Sequence, residues 1–361
     1  MIEDLRSNDV EASVLSSAEP QAWHDALSSF DHASIYASLE YHAVYEHAFG
    51  TPAFAYLARS PKGVLFYPFF LKPIEHVGEE PVSEDWYDLE TVYGYCGPLS
   101  TTDDKAFLDT AWAPYQSWRA RHGVVCEFIR FDPFLSNHRF APPGVTTHFD
   151  RRTVAIELHK GKDELVSNYA SVQRNRVRKA QKNGLVCRCL SAKDGLDDFK
   201  PLYRQTMEHL EADLFYHFSD DYFDALIREL DDQLRIFTVV SDAKPIASAI
   251  IFLDGKKLHY HLGGSSVGDR NLAPNNFLFH EISIWGIENG HHEFHLGGGR
   301  TNLDDDSLLR FKRNFSKNTK EFYIGKSVHD DNAYDQLATR WLRQSGLDSL
   351  PNILQFYRMS A

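Results

Sequence analysis

Apolar and polar positions alternate in runs that predict strands, and they recur at helical spacing in the segments between these runs. Up to residue 150, the polar segment 1–20 is expected to be loosely held and the acidic segment 74–88 to form a loop. The pattern predicts helices at 23–30, 39–49 and 106–121, and strands at 54–57, 64–71, 91–95 and 124–131. A stretch of this size and composition is typical of one α/β domain.

The pattern starts again after residue 150. It predicts strands at 153–158, 236–240, 246–253, 258–262 and 293–296, helices at 165–183, 199–210, 220–230, 274–289 and 334–346, and an aromatic loop at 213–219. Three successive strands, a buried helix and a further strand indicate a mixed, mostly antiparallel sheet flanked by helices. We therefore predict an α/β protein with two similar domains, residues 1–150 and 151–361.

The helix predicted at 165–183 changes character along its length. An apolar stripe that runs from Leu165 to Val172 continues into Arg176 and Lys179, which places basic residues on the packing side. No acidic residue occurs in the segment 165–193. The alternative to a functional role is a solvated basic face. The pattern favours a clamp for a phosphate or carboxylate, formed by Arg174, Arg178, Lys179 and Lys182.

Glycines mark the ends of two predicted strands. Gly263 and Gly264 follow the strand at 258–262, and Gly297–Gly299 with Arg300 follow the strand at 293–296. Backbone N–H groups at two neighbouring glycine-rich strand ends make a concave site for an anion. We predict the reaction centre there, with Arg300 binding a carboxylate or phosphate. A plain strand-to-helix turn is the alternative for the three consecutive glycines.

A set of motifs in this order resembles FemAB-type proteins that carry a BioF2-like acetyltransferase domain. The motifs are Arg174-Asn175-x-x-Arg178-Lys179-Ala180-x-Lys182-x-Gly184, His261-Leu262-Gly263-Gly264, Pro274-Asn275-Asn276, Phe294-x-Leu296-Gly297-Gly298-Gly299-Arg300 and Phe311-Lys312-x-x-Phe315. The resemblance covers residues 154–325 and holds for the first domain only in outline. It implies two tandem GNAT-like (N-acetyltransferase-like) domains and the transfer of an acyl group to an amine.

In the best-known branch of that family, an amino acid moves from aminoacyl-tRNA to the peptide stem of a cell-wall precursor that carries a nucleotide diphosphate. Other branches are described as acetyltransferases of polysaccharide pathways. The resemblance thus implies a small anionic acceptor, no tightly bound cofactor, and aminoacyl-tRNA or acyl-CoA as donor. Two rival interpretations stay open. One is acetyl-CoA-dependent acetylation of a small amine or amino sugar, and the other is a non-catalytic ligand-binding module.

The resemblance also assigns individual residues. Lys312 is expected to stabilise charge at the transfer centre, and the alternative is a surface lysine beside core aromatics. Tyr260 and His261 lie at the end of the strand next to the predicted cleft and are the other catalytic candidates. The candidate substrate-binding residues are Arg174, Arg178, Lys179, Lys182, Gly263, Gly264, Asn275, Asn276, Gly297, Gly298, Gly299, Arg300 and Phe311.

One departure bears on the donor. Ordinary GNAT enzymes grip the pyrophosphate of acetyl-CoA with R/Q-x-x-G-x-G/A before their central helix. The nearest match here is Arg270-x-x-Ala273-x-Asn275, in which a Cβ at each glycine position would crowd the approach of a phosphate. Pro274 suits a first helical turn, but Ala273 is a poor cap. This departure weakens the case for acetyl-CoA.

Two clusters raise the question of a metal ion. Asp304–Asp306 precede a short predicted helix and are interpreted as charges at its N-terminus, with metal binding as the alternative. A zinc site is the alternative for the histidines His259, His261, His291, His292 and His295. Because the cysteines lack ligand spacing, we predict no metal.

Composition limits the class of protein. The chain has 361 residues, of which 43% are apolar, and a net charge of −13. This charge argues against a general binder of nucleic acid or anionic membranes, but not against one local basic site that touches the acceptor end of tRNA. The start has no apolar signal region, no apolar run approaches a membrane span, and the four cysteines form no C-x-x-C pair. We predict a cytoplasmic enzyme without a DNA partner or transmembrane segment.

Overall fold

The computed structural model describes residues 3–5, 10–211 and 216–359, so residues 213–215 of the predicted aromatic loop lie outside the description. The chain divides into two compact units, Met1–Phe149 with Tyr323–Ala361, and Asp150–Phe322. The start of the second unit is adjacent to the predicted domain boundary at residue 150. Residues 323–361, which the prediction assigned to the second domain, return to the first unit.

The first unit contains a sheet with helices against it. Its strands are β1 (Glu3–Asp4), β2 (Glu11–Ser16), β3 (Ala53–Ser60), β4 (Gly63–Pro73), β5 (His76–Val77), β6 (Glu80–Pro81), β7 (Tyr87–Glu90), β8 (Leu99–Ser100) and β9 (Val124–Arg130). Its helices are α1 (Pro20–Leu27), α2 (Leu39–Phe49) and α3 (Lys105–Arg121). The chain enters the second unit through β10 (Thr146–Glu157).

The second unit has the same kind of architecture. Its strands are β11 (Val186–Leu190), β12 (Leu234–Ser241), β13 (Lys244–Asp254), β14 (Lys257–Ser265) and β15 (Glu293–Gly298), and its helices are α4 (Lys162–Asn168), α5 (Ser171–Lys182), α6 (Ala192–His209), α7 (Asp220–Leu230), α8 (Pro274–Glu288) and α9 (Ser307–Arg313). The chain returns to the first unit through β16 (Thr319–Val328), and α10 (Asp331–Ser345) follows.

Both units combine antiparallel strands with one parallel pair. In the first unit the order is β1-β2-β3-β4-β7-β9 followed by the second half of β16, and β7 runs parallel to β9. In the second unit the order is β11-β12-β13-β14-β15-β10, and β14 runs parallel to β15. The predicted mixed, mostly antiparallel sheets flanked by helices are confirmed.

Each unit has its own apolar core. In the first unit, Trp112 and Tyr115 of α3 pack against Tyr56 and Tyr67 of the sheet. Helix α3 begins as predicted, because the Asp104 side chain accepts the N–H of Ala106 at 2.9 Å. In the second unit, α8 is buried against the sheet through residues such as Phe277 and Ile282, as its apolar composition predicts.

The strand predicted at 91–95 is wrong. The strand is β7, whose acidic residues made this segment resemble a loop in the sequence. Asp88 is buried and accepts hydrogen bonds from Tyr357 Oη at 2.7 Å and Arg358 Nε at 2.8 Å. Glu90 is paired with Lys72 at 2.8 Å. Because these partners are distant in sequence, the local pattern could not reveal that the carboxylates are compensated.

The single helix predicted at 165–183 is also wrong. Tyr169 and Ala170 have extended backbone conformations, with ψ of 141° and 151°, and separate α4 from α5. The break changes the helical phase, so α5 buries Gln173, Val177 and Ala180. Residues 172, 176 and 179, which the prediction placed on the packing side, are exposed.

Several strands were missed. β2 lies within the segment expected to be loosely held, β16 was not predicted, and neither were the two-residue strands β1, β5, β6 and β8. Among the helices of the described residues, none is long and apolar enough to cross a membrane.

Candidate active site

The parallel strands β14 and β15 separate towards their carboxyl ends. Parallel pairs join residues 257–259 to 293–295 and, among the described residues, no others of the two strands. Beyond this point, β14 continues to Ser265 against β13, and β15 continues to Gly298 against β10. The two glycine-rich ends singled out in the sequence therefore frame a gap in the sheet of the second unit.

Lys312 is buried beside this gap. It lies on α9 with 5% of its surface exposed, so the surface-lysine alternative does not apply. Its Nζ donates a hydrogen bond to the Gly298 carbonyl at 2.7 Å and lies 5.7 Å from the centre of the Tyr260 ring. Burial lowers the pKa of Lys312 to about 7; Asp306 acts to raise it, and Arg151 lowers it further.

Tyr260 shares this face of β14 with Gly263. The Tyr260 ring packs edge-on against Phe279 of α8, with ring centres 4.9 Å apart. A Cβ at Gly263 would overlap the Tyr260 hydroxyl. A bulge opposite Ile250 and Ile251 shifts the register here and brings the two residues to one side. Burial raises the pKa of Tyr260, so its hydroxyl keeps its proton at neutral pH and remains a donor.

His261 points to the other face of β14. Its Nε2 pairs with the Tyr222 hydroxyl of α7 at 2.8 Å, and its ring stacks on Phe252 at 4.1 Å. Burial, with a smaller effect of His259, lowers the pKa of His261 to about 3. Gly264 faces this side too, because a Cβ there would overlap the α6 backbone at Leu202. The structure therefore does not bring His261 together with Lys312.

Each of the three consecutive glycines has a structural reason. Gly297 has a φ of +74°, which favours glycine. A Cβ at Gly298 would overlap the Arg151 side chain, and a Cβ at Gly299 would overlap the Asp306 carboxylate. Arg151 also donates to the Gly299 carbonyl at 2.9 Å and to the next carbonyl at 3.1 Å. A positive φ thus accounts for Gly297, and close packing against two charged side chains accounts for Gly298 and Gly299.

The Asp306 carboxylate organises the turn that follows. Its Oδ1 accepts the N–H groups of Leu308 and Leu309, both at 2.9 Å, as the predicted N-terminal cap of α9. Its Oδ2 accepts the N–H groups of Arg300 at 3.2 Å and Thr301 at 3.1 Å. Burial acts to raise the pKa of Asp306, but these backbone hydrogen bonds outweigh burial and lower it. The Arg300 side chain, in contrast, is exposed.

The first turn of α8 is occupied by its own side chains. Asn275 Nδ2 donates to Ser265 Oγ at 3.0 Å. Asn276 Nδ2 donates to Gln173 Oε1 at 2.6 Å, and Gln173 Nε2 returns a bond to the Asn276 carbonyl at 3.2 Å. Ala273 caps the helix with a φ of +60° and no side-chain hydrogen bond, as its poor capping ability predicts.

The basic residues of α5 divide into two groups. Arg174 is half-buried and donates to the carbonyls of Ser167 and Tyr169, so it closes the break between α4 and α5. Arg178, Lys179 and Lys182 are exposed.

Phe311 completes the surroundings of Lys312. Its ring lies 5.7 Å from that of Phe279 and 5.4 Å from that of Phe315. Within the described residues, no group of three or more histidine, cysteine or acidic residues is arranged to hold a metal ion. His259, one of the candidate zinc ligands, instead pairs through Nε2 with Asp254 at 3.1 Å.

The parallel pair of the first unit is held together where that of the second unit separates. The Arg130 N–H donates to Thr91 Oγ1 at 2.9 Å, and the Arg130 carbonyl accepts the N–H of Cys96, also at 2.9 Å. A bridge between Cys96 and Phe131 extends the pairing further. The gap that holds Lys312 therefore has no counterpart among the described residues of the first unit.

Sequence reasoning missed Arg151 and gave Asp306 only the role of a helix cap. Arg151 precedes the predicted strand at 153–158 and carries no local signal, because its partners lie near residue 299. Asp306 was visible as a cap, but its bonds to the turn 300–301 depend on the folded loop.

Two comparisons of the sequence give matches to known proteins. An acetyltransferase (GNAT) domain family matches residues 167–313. The UDP-N-acetylmuramoylpentapeptide-lysine N(6)-alanyltransferase of Weissella viridescens is 27% identical over 273 residues, which are 69% of this chain and 79% of that protein.

Two solved structures share the fold. FemX superimposes with a TM-score of 0.65 at 15% identity and covers 88% of this chain and 98% of its own. A tandem GNAT protein from the clavulanic acid biosynthesis pathway superimposes with a TM-score of 0.52 at 10% identity. The superposition covers 89% of this chain and 99% of that chain. The chain therefore carries a GNAT acetyltransferase domain and is similar to aminoacyltransferases of FemX type.

Proposed function

We propose that this protein transfers an aminoacyl group from the ester at the 3′ end of an RNA to an amine of a nucleotide-linked peptidoglycan precursor. The observation that carries the proposal is the buried Lys312, held on the Gly298 carbonyl over the Tyr260 ring at the separated strand ends. The name of the Weissella viridescens relative supports this class of acceptor and this transfer. Both substrates are molecules of the cytoplasm, where we expect the protein to act.

The chemistry needs a cation at the carbonyl oxygen. The acceptor nitrogen attacks the ester carbonyl, the new C–N bond forms and the C–O bond to the ribose breaks. The ribose hydroxyl then leaves with the proton that the amine has lost. Negative charge develops on the carbonyl oxygen, and a buried donor stabilises it strongly. Lys312 has three N–H donors and uses one on Gly298, so two are available, and Tyr260 supplies a hydroxyl donor.

Arg300 is proposed to bind an acidic group of the acceptor. Its backbone is fixed by Asp306, and its side chain is exposed beside the glycine turn. A guanidinium fixed at its backbone suits a carboxylate or phosphate, because it can form two parallel hydrogen bonds. Gly263 and Phe311 complete the proposed site, because Gly263 admits the Tyr260 hydroxyl where a Cβ would overlap it and Phe311 packs on the Phe279 ring.

The start of α8 argues against acyl-CoA as donor. A pyrophosphate cradle needs several free backbone N–H groups. The N–H groups of Leu272 and Ala273 are used within their own turn, at 3.0 and 3.1 Å, and Pro274 has none. The Asn275 side chain occupies the next position by its bond to Ser265. An ester donor that needs no pyrophosphate site fits this helix end better.

The test is a direct transfer assay. The purified protein is incubated with UDP-N-acetylmuramoylpentapeptide and alanyl-RNA, or with acetyl-CoA in place of the RNA, and the product is identified by its mass. We expect addition of one aminoacyl group with RNA and no product with acetyl-CoA. Acetylation of the precursor or of an amino sugar would refute the proposed donor, and no transfer from either donor would refute the proposed reaction.

A further inference from the structure

The outer face of α5 carries a row of basic residues. Gln173, Val177 and Ala180 form the buried face of this helix. Arg178 and Lys182 are exposed and project from the opposite face, one turn apart. Among the described residues, neither of these two basic side chains forms a hydrogen bond or an ion pair. The row therefore stands open to solvent.

The charge of this row is not explained by helix stability. Arg174, Arg178 and Lys182 follow one another at i, i+4 spacing, and like charges at this spacing destabilise a helix. The helix dipole favours cations in the last turn, which accounts for Lys182 but not for Arg178 in the middle. No acid lies in the segment 165–193, although the whole chain has a net charge of −13. A local excess of cations in an acidic protein indicates an anionic partner.

The row starts at the candidate active site. The Ala170 N–H donates to the Asn314 carbonyl at 2.9 Å, directly after the helix that carries Lys312. The Tyr169 ring lies 5.5 Å from that of Phe315. From there α5 continues for 12 residues, which is about 18 Å at about 1.5 Å per residue. A partner that follows the whole of this face is therefore long, and one of its ends lies near the segment that follows α9.

We propose that the outer face of α5 binds the phosphate backbone of the donor RNA and directs its acylated end to Lys312. This inference rests on the proposed function. The two phosphates of a nucleotide diphosphate share one oxygen and span only a small part of the row, whereas successive phosphates of an RNA strand can meet successive turns. The exposed position of the row also fits a large ligand better than a small acceptor enclosed next to Lys312.

The test compares Arg178→Gln/Lys182→Gln with Lys62→Gln/Lys256→Gln, which removes two exposed cations from turns outside α5. An unacylated RNA hairpin with a single-stranded 3′ end is titrated at several salt concentrations. We expect the first variant to lose at least about tenfold in RNA affinity. The slope of the logarithm of its binding constant against the logarithm of the salt concentration should become less steep by about 0.7 to 0.9 for each lost phosphate contact. The RNA affinity of the control variant should equal that of the wild type. The KM of the first variant for UDP-N-acetylmuramoylpentapeptide should also stay unchanged.

Three results would overturn the inference. They are unchanged RNA affinity, an equal loss in the control variant, and a rise in the KM for the precursor with RNA binding intact, which would make the row an acceptor site. Because the hairpin carries no acyl group, this measurement does not depend on transfer. Failure of the transfer assay would refute the proposed function, whereas the titration decides the role of α5.

Discussion

Lys312→Met should lower the activity and change the stability of the fold by an amount that depends on pH. The variant keeps an unbranched side chain, one atom shorter, and removes the buried charge. In the unfolded chain Lys312 has its ordinary pKa of 10.5, whereas burial lowers its pKa to about 7 in the folded protein. At about 1.4 kcal/mol per pKa unit, the charged form costs the folded state up to about 5 kcal/mol.

The sign of the pH dependence follows from the number of protons that the folded and unfolded states bind at Lys312. Below pH 7 both states hold the proton, so the full cost applies. Between pH 7 and 10.5 the unfolded state holds more protons, so the stability of the wild type rises with pH. Loss of the hydrogen bond to Gly298 costs the variant about 1–3 kcal/mol at every pH. Lys312→Met should therefore be more stable than the wild type by roughly 2–4 kcal/mol at low pH, and less stable above pH 10.5.

Urea unfolding followed by tryptophan fluorescence measures this difference at about pH 6 and at the highest pH that the protein tolerates. The exposed Lys62→Met serves as control and should differ from wild type by less than about 0.5 kcal/mol at both values. A difference for Lys312→Met that has the same sign and size at both pH values would refute the buried charge. Turnover should fall by about 100-fold or more, as for the loss of one donor at a developing oxyanion.

Two further substitutions test the surroundings of Lys312. Gly263→Ala should destabilise the fold by about 1–3 kcal/mol through its overlap with the Tyr260 hydroxyl; thermal unfolding of Gly263→Ala/Tyr260→Phe should show partial recovery, and additive losses would contradict the overlap. Asp306→Asn removes a charge that raises the pKa of Lys312, so the alkaline limb of the kcat/KM profile should move to lower pH, while stability falls by about 1–3 kcal/mol. An unmoved profile would show that Asp306 acts only as a cap.

Local patterns were sufficient for much of the fold. Strands β12 to β14 were predicted because alternating apolar runs are separated by turn residues, and α8 because it is apolar on every side. Helix α3 was predicted within one residue of its observed start, which the Asp104 side chain caps. In each case the information lies within a few residues of the element itself.

The errors share one cause, which is compensation from distant residues. The acidic strand β7 depends on Tyr357 and Arg358, more than 260 residues away. The break before α5 is held in part by the distant Asn314 carbonyl. For the site, residue types indicated Lys312 and the glycines, but not that Arg151 pins the turn or that His261 faces away. Contacts of this kind have no periodicity to detect.

The return of residues 323–361 to the first unit has a consequence for the order of folding during synthesis. The second unit is one continuous segment, 150–322, and all its residues are made before β16 is complete. The first unit must wait, because Glu127 pairs with His329 at 2.9 Å and Asp88 with Tyr357 and Arg358. Until those residues leave the ribosome, Glu127 lacks its histidine partner and Asp88 lacks its arginine. We therefore expect the later half of the chain to fold first, the reverse of the usual order.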